Sequence, residues 1–421
     1  MDCPPCELSR KATIDSFCRI RSFTDELAKP LTAEDCVIQS TPDVSPTSWH
    51  LAHTTWFFET FVLAVHAADY TAHHPLYGYL YNSYYNAVGR QFPRPRRGVL
   101  SRPGVAEIRA YRTFVNERML DLLDSVDQAR SERVCRLTEL GLHHEQQHQE
   151  LILTDIKHVL SCNPLYPVYK ERAVDGATQA PDVAWYSYEE GMRRIGHDGG
   201  GFCYDNEKPR HRVFQCAFDI ASRLVSNGEY LDFVRDGGYS RPELWLSDGW
   251  NEVRQQSWRS PLYWVEHAGE WKEFTLAGLG PLNPDAPVCH VSYFEADAFA
   301  RWAGARLATE TEWEIAAADV AMEGNFIETG VLHPGCAAAT DAGPVQMFGD
   351  LWEWTASPYV AYPGYRAVSG ALGEYNGKFM CNQFVLRGGS CATSQSHIRR
   401  TYRNFFPPAA RWQFTGIRLA R

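Results

Sequence analysis

The stretch LHHEQQHQELILTDIKHVL, residues 142–160, decides how the first part of this chain folds. Apolar residues recur through it at helical spacing, and Ser131 to Leu160 is therefore predicted to form one amphipathic helix. Because a helix turns by about 100° per residue, His144 and His148 lie one turn apart on one face. Glu150 follows His148 by two residues, about 200° around the helix, and is predicted to point away from that face.

The spacing of His144 and His148 allows two imidazoles to bind one metal ion. A third ligand then has to come from another helix, and a second histidine pair, His50 and His53, offers one. Spacing alone leaves open which of the two contributes. A site with only imidazole ligands and open positions suits Fe(II), zinc or copper. The alternative is a polar helix face on which the histidines bind no metal.

Three further helices are predicted before residue 165. They are Glu7 to Leu31, a helix that begins at Ser45-Pro46, and Ala106 to Asp127. Ser45 is expected to be the N-cap of its helix, with Pro46 at the first helical position. Four helices joined by loops indicate an up-and-down bundle, which we assign to residues 1–165.

The amino-acid composition of the sequence changes after Cys162. Proline and glycine predict a linker over residues 166–184, and glycine, proline and aromatic residues are frequent over residues 185–421. The regular elements expected there are a strand, Arg212 to Ile220, and two short helices, Phe294 to Ala303 and Glu310 to Ala317. The expected fold class is thus multidomain: a helical bundle followed by an irregular α+β domain.

The composition narrows the classes of function. The chain has 421 residues, of which 44% are apolar and 22% charged, as in ordinary globular proteins. Its net charge of −10 argues against a nucleic-acid partner or an anionic membrane surface. Neither a membrane-spanning stretch nor an apolar signal core is evident, so a cytoplasmic location is expected. Aromatic residues, at 13%, are enriched enough to ask whether they fill a core or line a site.

The loop NSYYNAVGRQFPRPRRG, residues 82–98, is rich in arginine although the protein is acidic. Arginine forks bind carboxylates and phosphates through paired hydrogen bonds. Tyr84 and Tyr85 lead into this loop, and a tyrosine beside a metal can donate a proton. The alternative is a solvated basic loop.

Several motifs together carry a family resemblance. They are WHLAHTTWFFET (49–60), the loop at 82–98, HHEQQHQE (143–150), PVCHVSYFEADAFARWAGARLATETEWEIAA (287–317), FGDLWEWT (348–355) and FVLRGGSCAT (384–393). With them the chain resembles the iron-dependent sulfoxide synthases of ergothioneine biosynthesis. That resemblance implies a DinB-like four-helix bundle followed by a formylglycine-generating-enzyme-like (FGE-sulfatase) domain related to C-type lectins.

The resemblance implies Fe(II) bound by His53, His144 and His148, with His53 rather than His50 because it ends the LAH motif. Enzymes of this family join the sulfur of a cysteine-type thiol to an imidazole carbon of Nα-trimethylhistidine (hercynine). That carbon lies between the two ring nitrogens, dioxygen is the oxidant, and the product is a sulfoxide.

The NSYYNA motif resembles the branch of the family that uses free cysteine. Tyr84 and Tyr85 are then candidate proton donors, and Arg94 and Arg97 are expected to clamp the cysteine carboxylate. The residues that the resemblance assigns to hercynine are Gln147, Tyr375, Asn404 and Phe405. The expected partners are hercynine, cysteine and dioxygen, with no nucleic acid or membrane, and the oligomeric state is not indicated.

Two alternatives remain open from the sequence. A relative could form a C–Se bond between hercynine and a selenosugar, although a sugar lacks the carboxylate that Arg94 and Arg97 suit. A metal-free bundle joined to a lectin-like domain would instead be a non-catalytic binding protein.

Overall fold

The computed structural model describes residues 9–172, 179–338 and 343–421, so residues 173–178 of the predicted linker lie outside the described residues. The chain divides into two compact units. Unit 1 comprises Met1–Leu165, Gly199–Phe202 and Val368–Tyr375, and unit 2 comprises Tyr166–Asp198, Cys203–Ala367 and Asn376–Arg421. None of the helices in the described ranges combines the length and the apolar character needed to cross a membrane.

Unit 1 is helical, as the sequence predicted. Its helices are α1 Arg10–Ala28, α2 Thr47–Phe58, α3 Ala64–His66, α4 Tyr77–Tyr81, α5 Val105–Ser125 and α6 Gln128–Ser161. The π-helical turn Glu59–Leu63 continues α2. The long helices α1, α2, α5 and α6 correspond to the four predicted ones, and α6, at 34 residues, carries His144 and His148.

Side-chain caps fix where two of these helices begin. Ser9 accepts a hydrogen bond from the N–H of Ala12 at the start of α1, and Asp127 does the same for Arg130 at the start of α6. The predicted cap at Ser45 is wrong, because α2 begins at Thr47 without a side-chain cap.

Ser45 instead forms hydrogen bonds with residues that are distant in the sequence. Its hydroxyl accepts a 2.9 Å hydrogen bond from a terminal nitrogen of Arg97, and its N–H donates to Asp155 over 2.7 Å. The Ser-Pro pattern is local and carries no sign of these contacts.

Helix α2 is buried on every face, from Thr47 to Phe58. Its apolar side chains join a core whose members come from all four long helices, among them Phe17, Trp56, Phe57, Phe58, Tyr111, Val115 and Leu142. Its buried hydroxyls are satisfied within the unit: Arg21 donates to Thr55, and Arg112 donates to Thr54. Both arginines also pair with the fully buried Glu145 of α6. A helix with no solvent face holds its side chains in fixed positions.

Unit 2 contains short elements joined by long loops. Its helices are α7 Asn227–Arg235, α8 Ser247–Gln256, α9 Tyr293–Trp302 and α10 Glu310–Ala316. Its strands are β1 Trp185–Tyr188, β2 Gly191–Ile195, β3 His211–Gln215, β4 Phe218–Ala221, β5 Trp264–His267, β6 Glu270–Thr275, β7 Gly278–Pro281, β8 Arg306–Leu307, β9 Trp352–Pro358, β10 Phe384–Arg387, β11 Asn404–Phe406, β12 Thr415–Gly416 and β13 Leu419–Ala420. Both units also contain short 3₁₀ helices. One of them, Ala371–Glu374, lies in the segment Val368–Tyr375 that belongs to unit 1.

The strands form small sheets rather than one large sheet. Their orders are β1-β4-β13-β8, β11-β10-β9-β12, β2-β3 and β5-β6-β7, with antiparallel pairing except between β9 and β12. The single strand predicted over Arg212 to Ile220 is wrong. Strand β3 ends at Gln215 and pairs with β2, whereas β4 begins at Phe218 and pairs with β1 in another sheet. The predicted strand is therefore two strands in two sheets.

Large aromatic side chains and buried ion pairs fill the core of unit 2. Trp313, Trp352 and Trp354 are each only 1% exposed. The indole N–H of Trp313 donates to Glu353, whose carboxylate also pairs with Arg418. Most of the aromatic residues therefore serve packing, because this loop-rich unit has few long elements to supply a core.

Candidate metal centre

Three imidazoles converge inside unit 1. His53 comes from α2, and His144 and His148 come from α6, one turn apart as their spacing predicted. One ring nitrogen from each lies within 4.8 Å of the others, and Nε2 of His53 is 3.2 Å from Nε2 of His144. All three side chains are buried.

Burial keeps these imidazoles neutral. It lowers the pKa of His144 to about 3 and holds the pKa values of His53 and His148 well below 6.5. A neutral imidazole presents a nitrogen lone pair, which is the form that binds a metal ion. Three such nitrogens facing one point in a buried site fit a divalent transition metal.

The ring of His53 is fixed by its neighbours on α2. It stacks on Trp49, with ring centroids 4.5 Å apart and planes at 11°, and on Trp56 at 5.5 Å. Its Nδ1 lies 2.5 Å from the carbonyl oxygen of Tyr81, to which it donates. Nε2 is thereby directed toward the other two histidines.

His50 lies one step outside the cluster. Its Nδ1 is 2.8 Å from Nδ1 of His148, and its Nε2 is 3.0 Å from Oδ2 of Asp155. Spacing left open whether His50 or His53 joins the cluster. His53 is the member of the cluster, and His50 contacts His148 from outside it. Sequence reasoning missed Asp155, although it follows His148 by two helical turns and so shares its face of α6.

Three tyrosines are connected to the cluster by ring contacts, one of them directly and two through other aromatic rings. Tyr85 is 1% exposed and packs against Trp56 and Phe61. Burial raises the pKa of Tyr85 well above its ordinary value, so its hydroxyl stays protonated. The ring of Tyr84 is 4.7 Å from Tyr85 and 5.9 Å from Tyr375, and Tyr375 in turn lies 6.1 Å from His144.

The two predicted arginines differ in their surroundings. Arg97 is buried, and its guanidinium carbon lies 3.4 Å from the centroid of Trp49. Burial lowers the pKa of Arg97 to about 9, which leaves it charged at neutral pH. Its Nε is buried without a hydrogen-bond partner among the residues that the structure describes. Arg94 is exposed and donates to the backbone carbonyl of Asp43.

The other predicted substrate residues lie in different settings. Gln147 is half-buried on α6 between the two histidines. Asn404 and Phe405 belong to β11 of unit 2, where Phe405 stacks on Tyr359 with centroids 4.1 Å apart. The roles of these three residues stay predictions.

Comparison with known proteins places this chain in a family. Residues 17–152 match the DinB superfamily, and residues 186–342 and 328–421 match the sulfatase-modifying factor enzyme 1-like domain. The hercynine oxygenase of Mycobacterium tuberculosis is 30% identical over 96% of each chain. That of Mycolicibacterium smegmatis is 31% identical over 91% of this chain and 92% of its own. The chain belongs to the hercynine oxygenase family. Ergothioneine biosynthesis protein 1 of Schizosaccharomyces pombe is 31% identical over 52% of this chain and 28% of its own.

Membership of the hercynine oxygenase family confirms the resemblance and the fold class predicted from the sequence. The DinB match contains His53, His144 and His148, so the whole cluster belongs to the bundle. A buried three-histidine cluster in an oxygenase family indicates a metal ion.

Proposed function

We propose that this protein joins the sulfur of cysteine to hercynine with dioxygen and forms hercynylcysteine sulfoxide in ergothioneine biosynthesis. The buried cluster of His53, His144 and His148, in a member of the hercynine oxygenase family, carries the proposal. The reaction balances as hercynine plus cysteine plus dioxygen giving the sulfoxide plus water. The imidazole C–H bond of hercynine and the S–H bond of cysteine break, and one C–S bond forms. One oxygen atom goes to sulfur, and the other leaves as water with the two released hydrogens.

Fe(II) is the metal that we propose for the three histidines. An oxygenase needs a metal that exchanges electrons with dioxygen, and zinc does not change its oxidation state. Three imidazole ligands would leave further coordination positions of the ion open for substrates. A ferrous ion bound there would supply the activation of dioxygen.

Arg97, with Arg94, is proposed to hold the carboxylate of cysteine. Arg97 is already oriented by Trp49 and Ser45, and its buried Nε lacks a partner among the described residues. A carboxylate would satisfy that donor and offset the buried charge, because charge-assisted hydrogen bonds are the strongest of their kind. This need for a carboxylate favours cysteine over a selenosugar.

Tyr84 and Tyr85 are the proposed proton donors during sulfoxide formation. The raised pKa of Tyr85, caused by burial, keeps a proton on its phenol oxygen, and Tyr84 is its direct neighbour. Without such a donor, oxidation of the cysteine sulfur to a sulfinate should compete. Hercynine is proposed to contact Gln147, Tyr375, Asn404 and Phe405, and the reaction is proposed to take place in the cytoplasm.

Anaerobic reconstitution tests the proposed function. The protein is loaded with Fe(II) or Zn(II), then incubated with hercynine, cysteine and dioxygen, and products are identified by mass spectrometry. We expect the sulfoxide only with iron, no product from His148→Gln, and normal activity from His66→Gln, a histidine of α3 outside the cluster. A parallel incubation with a selenosugar measures the C–Se alternative. Absence of iron binding and of oxygen consumption would favour the non-catalytic binding protein.

A further inference from the structure

We propose that His50 and Asp155 form a hydrogen-bonded relay behind His148 that fixes the tautomer of this ligand and strengthens metal binding. The inference deepens the proposed function and rests on its metal centre. His50 and Asp155 would be positioning residues, because neither shares the point at which the three histidines converge.

The relay is continuous and buried. His148 Nδ1 lies 2.8 Å from His50 Nδ1, and His50 Nε2 lies 3.0 Å from Asp155 Oδ2. The same oxygen accepts a 2.7 Å hydrogen bond from the N–H of Ser45. His50 is 2% and Asp155 is 3% exposed, so water does not compete for these contacts.

The carboxylate determines where each proton sits. An ionised carboxylate only accepts hydrogen bonds, so Nε2 of His50 carries the proton that faces Asp155. In a neutral imidazole the other nitrogen is then an acceptor, and Nδ1 of His148 has to donate to it. This assignment leaves Nε2 of His148 with its lone pair free of a proton, as a metal ligand requires.

The three histidines differ in the hydrogen-bond partner of the ring nitrogen that does not face the cluster. His53 donates to the neutral carbonyl of Tyr81, and Nδ1 of His144 has no hydrogen-bond partner among the described residues. Of these three, His148 alone is linked through an imidazole to a negative charge. Such a link orients the ring and makes the ligand nitrogen more basic.

Metal affinity measured without substrates tests the relay separately from the oxygenase reaction. Cobalt(II) is the probe, followed by its visible absorption and by competition with a chelator. The variants are His50→Phe, which removes both contacts, and Asp155→Asn, which keeps the shape and an acceptor but removes the charge. His66→Gln is the matched control, and the melting temperature of each metal-free protein reports on folding.

We expect His50→Phe to weaken cobalt binding by about 10- to 100-fold and to shift the absorption band. Asp155→Asn should weaken binding by a smaller factor. The double variant should bind cobalt no more weakly than His50→Phe alone, because the relay is already broken. Unchanged affinity and spectrum in both single variants, with only a lower melting temperature, would show a purely structural role and overturn the relay. A wild-type protein that binds no cobalt would overturn the metal centre itself, and the relay with it.

Discussion

The carboxylate of Glu374 accepts a 2.8 Å hydrogen bond from the backbone N–H of Ala87, although 287 positions separate the two residues. It accepts a second, of 3.1 Å, from the N–H of Asn86. Tyr84 precedes Asn86 by two residues, and Tyr375 directly follows Glu374. One carboxylate therefore links the two backbone segments that carry Tyr84 and Tyr375, whose ring centroids are 5.9 Å apart.

Glu374→Gln should lower kcat/KM for sulfoxide formation by about two- to fivefold, since loss of one good hydrogen bond costs about 0.5–1 kcal/mol. The melting temperature should change little, because the contact is exposed. Glu26→Gln, on the exposed side of α1, is the matched control and should leave kinetics unchanged. Equal kinetics for the two variants would mean that Glu374 does not position the tyrosines.

Arg97→Met should raise KM for cysteine by about 10- to 100-fold, because a charge-assisted hydrogen bond contributes about 1.5–3 kcal/mol. Arg97→Lys should restore little, since an ammonium group lacks the planar fork. Steady-state kinetics at saturating hercynine give the measurement. Arg96→Met, in the same loop but exposed, serves as control. A change confined to KM for hercynine would assign Arg97 to the other substrate.

Replacement of both Tyr84 and Tyr85 by Phe should shift the product from sulfoxide toward cysteine sulfinate, because the proton donors are lost. Both products are quantified by mass spectrometry in one incubation. Tyr79→Phe, which removes a hydroxyl elsewhere in unit 1, should keep the wild-type ratio. An unchanged ratio in the double variant would remove both tyrosines from proton delivery.

Gly141→Ala should lower the free energy of unfolding by up to about 2 kcal/mol. A Cβ at this position of α6 would lie 2.5 Å from Cε1 of Phe58, and overpacking costs about 1–3 kcal/mol, against a helix-propensity gain of about 1 kcal/mol. Gly78→Ala in α4 meets no atom within 4 Å and should be neutral or slightly stabilising. Urea denaturation of the two variants makes the comparison, and equal stability would contradict this account of the α2–α6 contact.

His397 should make unit 2 sensitive to acid. Burial, with nearby Arg399, holds its pKa well below 6.5 in the folded protein. The unfolded chain takes up this proton as pH falls below 6.5 whereas the folded protein does not, so falling pH favours unfolding. Each such group changes the unfolding free energy by up to about 1.4 kcal/mol per pH unit.

Denaturation of His397→Gln in the presence of a chelator isolates this contribution. The variant should show a shallower loss of stability between about pH 6.5 and pH 5 than the wild type, since the unfolded chain has one proton fewer to bind. Parallel stability profiles would contradict a neutral buried His397.

The sequence predicted those features of the site that repeat within one helix. His144 and His148 share a face because helical geometry fixes their spacing, and this holds whatever packs against α6. The choice between His50 and His53 depended on the approach of α2 to α6, which spacing does not contain. The contact between Tyr375 and His144 joins residues from distant parts of the chain and has no local signal.

Local patterns failed where a distant partner competed for the same group. Ser45 has the residue type of a helix cap, but its hydroxyl accepts from Arg97. The run Arg212 to Ile220 has strand composition throughout, yet β3 and β4 pair with different partners. In both cases tertiary contacts, rather than propensity, determined the outcome.

The segments Gly199–Phe202 and Val368–Tyr375 belong to the helical unit although they follow its main part, which ends at Leu165, in the sequence. A gene fragment ending at Leu165 would encode the three histidines without Tyr375 or Glu374. Recombination that exchanged the second half of this gene for that of a distant relative would replace those residues as well. The two halves are therefore expected to be inherited together, and a chimera should recover activity only when the donor supplies a matching 368–375 segment.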